Sequence, residues 1–329
     1  MTITTAIQEQ LASSRLVLFL GADLPAALTS IPSRANLSAG LAQRHNLPSG
    51  LSLATASQRV IQRGNRFAFT DYLIRQLDTL GKPTQRIHQL IAQLSAPMII
   101  TTAYDNLLEL AFQAAGEPIN RVVRDSDLAF VDPRRHTLIK LYGDLQQRDT
   151  LIVTEDDQHG LWRNRDKENL LDEVRRAMRS NAVLFLGYDL TDPDFLLLWR
   201  EVLDRVGRFA LGAYAVNPGM AQDERRVWED REVRVIDAEP LAFLEQLTAA
   251  GSGVLMDNRS SDAHQSIPPT PTAAALKRAT LERRLASITE EFMVVNQQID
   301  TTIDAAQKLR LERRAADLLA EIARTEAEI

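Results

Sequence analysis

Four short stretches carry residue types that can do chemistry. In the first, the apolar run Leu16 to Leu20 leads into Gly21-Ala22-Asp23. A buried strand that ends in glycine lets backbone approach a phosphate and opens onto a helix N-terminus that favours anions, so Gly21 and Ala22 are candidate phosphate contacts. Asp23 works against this, because a carboxylate beside a pyrophosphate repels it unless it turns away or holds a cation. In the second, Met98 to Thr101 continues as Thr102-Ala103-Tyr104-Asp105. Thr101 and Asp105 thereby stand at a strand end, where open α/β sheets bind ligands, although Asp105 can equally cap the helix that follows.

The third stretch is Ile139-Lys-Leu-Tyr-Gly-Asp144. Tyrosine, with a pKa of about 10, is a poor general base at neutral pH, but Tyr142 can donate a hydrogen bond or stack on a ring. Asp144 has two readings, a turn-stabilising residue or a substitute carboxylate. The fourth is Val183-Leu-Phe-Leu-Gly-Tyr-Asp-Leu-Thr-Asp-Pro-Asp194, in which Asp192-Pro193 reads as a helix start with proline in its first turn.

Other chemistries are disfavoured. The five histidines, His45, His88, His136, His159 and His264, lack metal-ligand spacing, so no metal is expected. Cysteine is absent, which excludes disulfides and thiolate zinc sites and fits a reducing, cytoplasmic setting. A net charge of -6 with interspersed basic residues offers no footprint for nucleic acid. The N-terminus lacks a secretory pattern, and no run of about 18 apolar residues predicts a membrane span. The spacing of a hydride-transfer dinucleotide fingerprint, with its later acidic residue, is not in register.

Positioning these stretches requires strands alternating with helices. Buried strands are predicted at Leu16–Leu20, Met98–Thr101, Thr137–Leu141, Leu151–Val153, Ala182–Gly187, Ala213–Val216 and Val233–Ile236, with helical patterns between them. The expectation is a Rossmann-like, doubly wound parallel sheet of the α/β class over residues 1–250, with a helical insert at about 36–95. A Ser/Pro/Asp-rich linker follows at 251–272. Leu281, Leu285, Ile288, Phe292, Val295 and Ile299 then fall at heptad spacing, predicting a helical hairpin or coiled-coil adapter over 273–329.

The order of the four stretches, together with Ile31-Pro-Ser-Arg34, resembles the sirtuin-like family, in particular its prokaryotic NAD-consuming defence effectors. The resemblance implies NAD or NADP as substrate or ligand, held by Gly21, Ala22, Asp23, Arg34, Thr101, Asp105, Gly143, Gly187, Tyr188 and Asp189. It also implies that Ala103 and Tyr142 stand where active members carry a catalytic Asn and a catalytic His, while Asp105 matches. Ala103 can be a natural or an engineered replacement, whereas Tyr142 is not a usual inactivating change. Two readings follow. One is a protein of the NAD-glycohydrolase class, cleaving the nicotinamide N-glycosidic bond slowly or not at all. The other is a non-enzymatic sirtuin-like scaffold that forms a homo-oligomer or recruits an adapter partner through 273–329.

Overall fold

The computed structural model describes residues 3–24, 31–79, 82–94, 96–161, 167–200, 209, 211–249, 315 and 319. The chain divides into two compact units, Met1–Ser260 and Ser261–Ile329. The linker and helical hairpin expected at 251–329 lie outside the described residues, apart from Ala315 and Leu319.

Seven parallel strands form one sheet: β1 (Leu16–Leu20), β2 (Met98–Thr101), β3 (Ile119–Val122), β4 (His136–Lys140), β5 (Ala182–Leu186), β6 (Ala213–Val216) and β7 (Val233–Ile236), in the order β3-β4-β2-β1-β5-β6-β7. From β1 the chain sets β2 beside it, β3 at the edge and β4 between them, then crosses to build β5, β6 and β7 on the other side. The order therefore reverses between β1 and β5, the position where doubly wound sheets open a ligand crevice.

Every side chain of β1 and β5 is buried, because helices cover both faces. Alternation divides them. Val17, Phe19, Val183 and Phe185 enter one core, and Leu16, Leu18, Leu20, Ala182, Leu184 and Leu186 enter the other. The first core is covered by α2 (Arg34–His45), α3 (Leu53–Arg63), α4 (Arg66–Gln76) and α8 (Glu168–Ser180). The second is covered by α1 (Ile3–Ala12), α5 (Arg86–Gln93), α6 (Leu107–Ala115) and helical residues 240–249. On α8 the buried positions Leu170, Leu171, Val174, Ala177 and Met178 have the spacing of one apolar helix stripe.

Between β1 and β2 the described residues hold four helices, α2 to α5, as the sequence pattern predicts. Side-chain oxygens start three of them. Ser33 accepts from the Asn36 amide, Ser52 from that of Thr55, and Asn65 from those of Phe67 and Ala68. The insert is fastened to the short helix α7 (Glu155–Leu161), whose acidic first turn is not left to solvent. Each carboxylate instead meets the insert: Thr55 donates to Glu155, Gln58 to Asp156, and Arg66 forks onto Asp157 at 3.0 and 2.9 Å.

The predicted strand Leu151–Val153 is not a strand. Its residues are buried, yet their backbone groups bond to other partners. Ile152 N–H donates to Tyr142 O, Ile152 O accepts from the Tyr104 hydroxyl, Leu151 O accepts from Arg66, and Val153 N–H donates to Asp157. Periodicity detected its burial but not the absence of a ladder neighbour. Conversely, edge strand β3 carries only two buried positions in Ile-Asn-Arg-Val, too weak a signal to predict.

Lys167, at the start of α8, is 4% exposed and donates to Leu141 O at 3.0 Å. Burial, with Arg124 nearby, pushes its ammonium down to about 8. Between that value and the ordinary lysine range, the folded chain has released a proton that the unfolded chain still holds. Stability from this residue therefore rises with pH above about 8 and is lost as pH falls through it, by roughly 3 kcal/mol in all. Denaturant unfolding at pH 7.5 and pH 10 checks this: the wild-type chain gains stability relative to Lys167→Met as pH rises, and parallel pH profiles contradict it.

Candidate functional site

The carboxyl ends of β1, β2, β4 and β5 bring the four stretches together along one edge of the sheet. Their loops are stitched by backbone. Gly21 N–H donates to Leu186 O at 2.8 Å, Thr102 N–H to Leu20 O at 3.2 Å, and Leu141 N–H to Thr101 O at 2.8 Å.

Two glycines set the closest approach. A Cβ on Gly21 would lie 2.0 Å from Gly187 O, and one on Gly187, where φ is +73°, would lie 2.7 Å from Leu24 Cβ. Glycine at 21 is thus required by the neighbouring strand end, whether or not a phosphate also approaches. Gly143 is likewise demanded by its turn: φ is +92°, and a Cβ would meet Thr150 O at 2.3 Å.

Asp23 has an internal partner, its Oδ1 accepting from the Arg34 amide at 2.8 Å. That bond ties the loop after β1 to the first residue of α2 and places Ile31-Pro-Ser-Arg34 beside it. Ala22 is half-buried.

Tyr188 is buried, its ring packed on Phe19 at 5.7 Å and Phe195 at 4.8 Å between centroids. Its hydroxyl donates to Leu20 O at 3.2 Å and, with that proton committed, accepts from Thr102 Oγ1 at 3.2 Å. Burial pushes this phenol far up, outweighing the Thr102 hydrogen bond, so it stays protonated. Asp189, in contrast, is exposed, and its Oδ1 accepts from the Thr191 amide and hydroxyl.

The loop after β2 is similarly committed. Thr101 Oγ1 donates to Leu20 O and accepts from the Ala103 amide, and Asp105 Oδ1 accepts from the Leu107 amide in the first turn of α6. Asp105 thus supports the start of α6, whose N-cap residue is Asn106. Tyr142 is 4% exposed and packs in the core with Tyr104, Tyr188 and Leu141.

Lys140 and Glu109 were not singled out in the sequence, although a lysine inside an otherwise apolar strand run was a visible signal. The ammonium is fully buried and donates to Tyr104 O, Asp105 O and Glu109 Oε1. It also lies 2.7 Å from Asp144 Oδ2, which Arg121 reaches at 3.3 Å. One cation thus fastens the loop carrying Ala103 to the loop carrying Tyr142. Breaking such a buried pair costs about 3 to 5 kcal/mol. Asp144 is held as this ion's partner and as a turn residue, its Oδ1 accepting from Gln146 N–H, and not as a free base. Burial pushes the Glu109 carboxyl up, against the pull of Lys140. His88 is buried, pushed down by burial, and accepts at Nδ1 from Gln85 N–H.

A cleft of 510 Å³ opens beside these loops, lined by Asp23, Gly187, Tyr188, Val216, Glu239 and Glu245 among others. Its size suits a nucleoside-sized group. Glu239 and the neighbouring Asn217, which donates to Tyr188 O at 3.3 Å, were not predicted as site residues. Both follow strands at the far side of the switch point, where the sequence alone offers only short polar turns. Among the described residues, no group of three His, Asp or Glu side chains is placed to hold a metal. No helix there is long and apolar enough to cross a membrane.

Gly21→Ala tests the strand-end packing. Overpacking a well-filled interior costs about 1 to 3 kcal/mol or more, so this variant should unfold at lower denaturant by at least that amount. An unchanged midpoint contradicts the geometry.

Comparison with known proteins fits this arrangement. Residues 97–236 match the SIR2-like domain, and residues 271–329 match effector-associated domain 9. Defense-associated sirtuin 2 of Bacillus subtilis is 26% identical over 177 residues, which are 52% of this chain and 17% of that protein. The NAD(+) hydrolase ThsA of Cytobacillus dafuensis is 27% identical over 108 residues, 32% of this chain and 22% of that protein. The match thus spans less than a quarter of either relative's length. A solved Sir2 enzyme superposes at a TM-score of 0.45 with 18% identity, covering 78% of this chain and 100% of that one. Residues 97–236 thus match a SIR2-like domain, and the chain is similar over part of its length to defence-associated sirtuin-like proteins.

Proposed function

We propose that the strand-end cleft binds NAD and that the chain, as written, turns it over slowly or not at all. One observation carries the reading: the loops at Gly21–Asp23, Thr101–Asp105, Tyr142–Asp144 and Gly187–Tyr188 converge at the switch point of a sheet whose relatives include NAD(+) hydrolases. Asp23, Glu239 and Glu245 line the cleft, and three carboxylates disfavour the extra phosphate of NADP.

Cleaving the nicotinamide N-glycosidic bond builds positive charge on the ribose and needs a placed water and a base for its proton. General-base catalysis of that kind is worth about 10² to 10⁴ in rate. The methyl of Ala103 can do neither job. Tyr142 is a buried phenol, Asp105 is bonded to the start of α6, and Asp144 is paired with Lys140, so these groups bind and position but do not take the proton. In this reading Arg34, Thr101 and Ala22 shape the pocket wall, Gly143 its turn, and Asp189 its outer rim.

A second reading, assembly without catalysis, is favoured by the match of residues 271–329 to an effector-associated domain. That segment is then the site of self-association or of an adapter partner. A defence role, supported by kinship to Defense-associated sirtuin 2, and a cytoplasmic setting, supported by the absence of cysteine, are part of the proposal.

Incubation of micromolar protein with NAD, followed by detection of nicotinamide and ADP-ribose, tests the first reading. The expected result is little product from the wild type, and at least a ~10²-fold gain in the Ala103→Asn/Tyr142→His variant. Absence of product from that folded variant leaves the scaffold reading. Calorimetry that detects no binding of NAD, or ranks NADP above it, contradicts the proposed ligand.

A further inference from the structure

We propose that the helical insert carries a second ligand site, an anion pocket for a small phosphate-bearing molecule, formed by Arg44, Arg63 and Arg75. A cavity of 490 Å³ lies among α2, α3 and α4, with Leu41, Val60 and Phe69 among its apolar lining and the three arginines and His45 also lining it. That volume lies within the range of small-molecule sites, about 300 to 1,000 Å³. None of its lining residues lines the strand-end cleft.

The charge arrangement is what points to an anion. The whole chain carries a net charge of -6, yet the lining of this cavity contains three arginines and, among the described residues, no carboxylate. Arg44 lies over the Tyr72 ring at 5.4 Å, and Arg63 donates to His45 O at 3.4 Å. Neither has a carboxylate partner among the described residues. Arg75 pairs with Asp71 at 2.8 Å, but that carboxylate is shared with Arg148 at 3.3 Å.

Two guanidinium groups are therefore positioned by an aromatic face and a carbonyl, which orient them without neutralising them. Planar guanidinium forks match phosphate oxygens in pairs, so a cavity with several of them selects phosphate over a simple halide. The start of α4 does not supply the site, because Asn65 already accepts from the first free amides there. The guanidinium groups must carry the binding.

The test is calorimetric titration of the full chain with inorganic pyrophosphate at low ionic strength. Saturable binding is expected. It should weaken at least ~10-fold, about 1.4 kcal/mol, in Arg44→Ala/Arg63→Ala. Both side chains are exposed, so the variant is expected to keep its fold, which circular dichroism checks. Saturating NAD should leave pyrophosphate binding unchanged, which separates this pocket from the strand-end cleft whatever that cleft binds. No binding to the wild type at millimolar pyrophosphate, equal affinity in the double variant, or displacement by NAD would each overturn the proposal. So would an eight-nucleotide single strand that binds more tightly than pyrophosphate through the same two arginines, since that outcome assigns the pocket to a nucleic-acid backbone.

Discussion

The structure depends on how closely the carboxyl ends of β1 and β5 can meet. Gly21 and Gly187 are in backbone contact there, with no room for a Cβ on either, and the Gly21 amide closes onto Leu186 O. The strand order reverses at this point, the position where doubly wound sheets open a ligand crevice. A methyl group at either glycine would push the strand ends apart, and with them Tyr188, whose hydroxyl sits on Leu20 O.

Around that contact the site is over-determined. Thr101, Thr102 and Tyr188 each bond to the end of β1 or to one another, and Lys140 gathers the next two loops from below. Such committed hydrogen bonding leaves few side chains with free chemistry. Thr101, Asp105, Asp144 and Asp189 all spend an oxygen on a nearby amide or hydroxyl, and Tyr142 is part of the core.

Much of this frame was legible in the sequence, because buried parallel strands are continuous apolar runs, and Leu16–Leu20, Met98–Thr101, Ala213–Val216 and Val233–Ile236 match strands as formed. The helical insert was legible too, through its periodicity and its Ser and Asn caps. The readings failed where a residue's partner lies far along the chain. Leu151–Val153 has strand-like composition but bonds to Tyr142, Tyr104, Arg66 and Asp157, and the apolar pattern carries no trace of those partners. The bond of Asp23 to the Arg34 amide, eleven residues away, is likewise invisible in the local pattern. Lys140 and Glu239 are placed by the sheet order, which no local window contains.

The central claim is that the crevice at the β1–β5 reversal is the nucleotide site. A crystal structure of the chain soaked with NAD tests it most directly. The account predicts density for the dinucleotide across Gly21, Arg34 and Tyr188, with its adenosine half in the cleft beside Glu239. A well-ordered chain with that cleft empty at saturating NAD, or with NAD bound elsewhere, would contradict it.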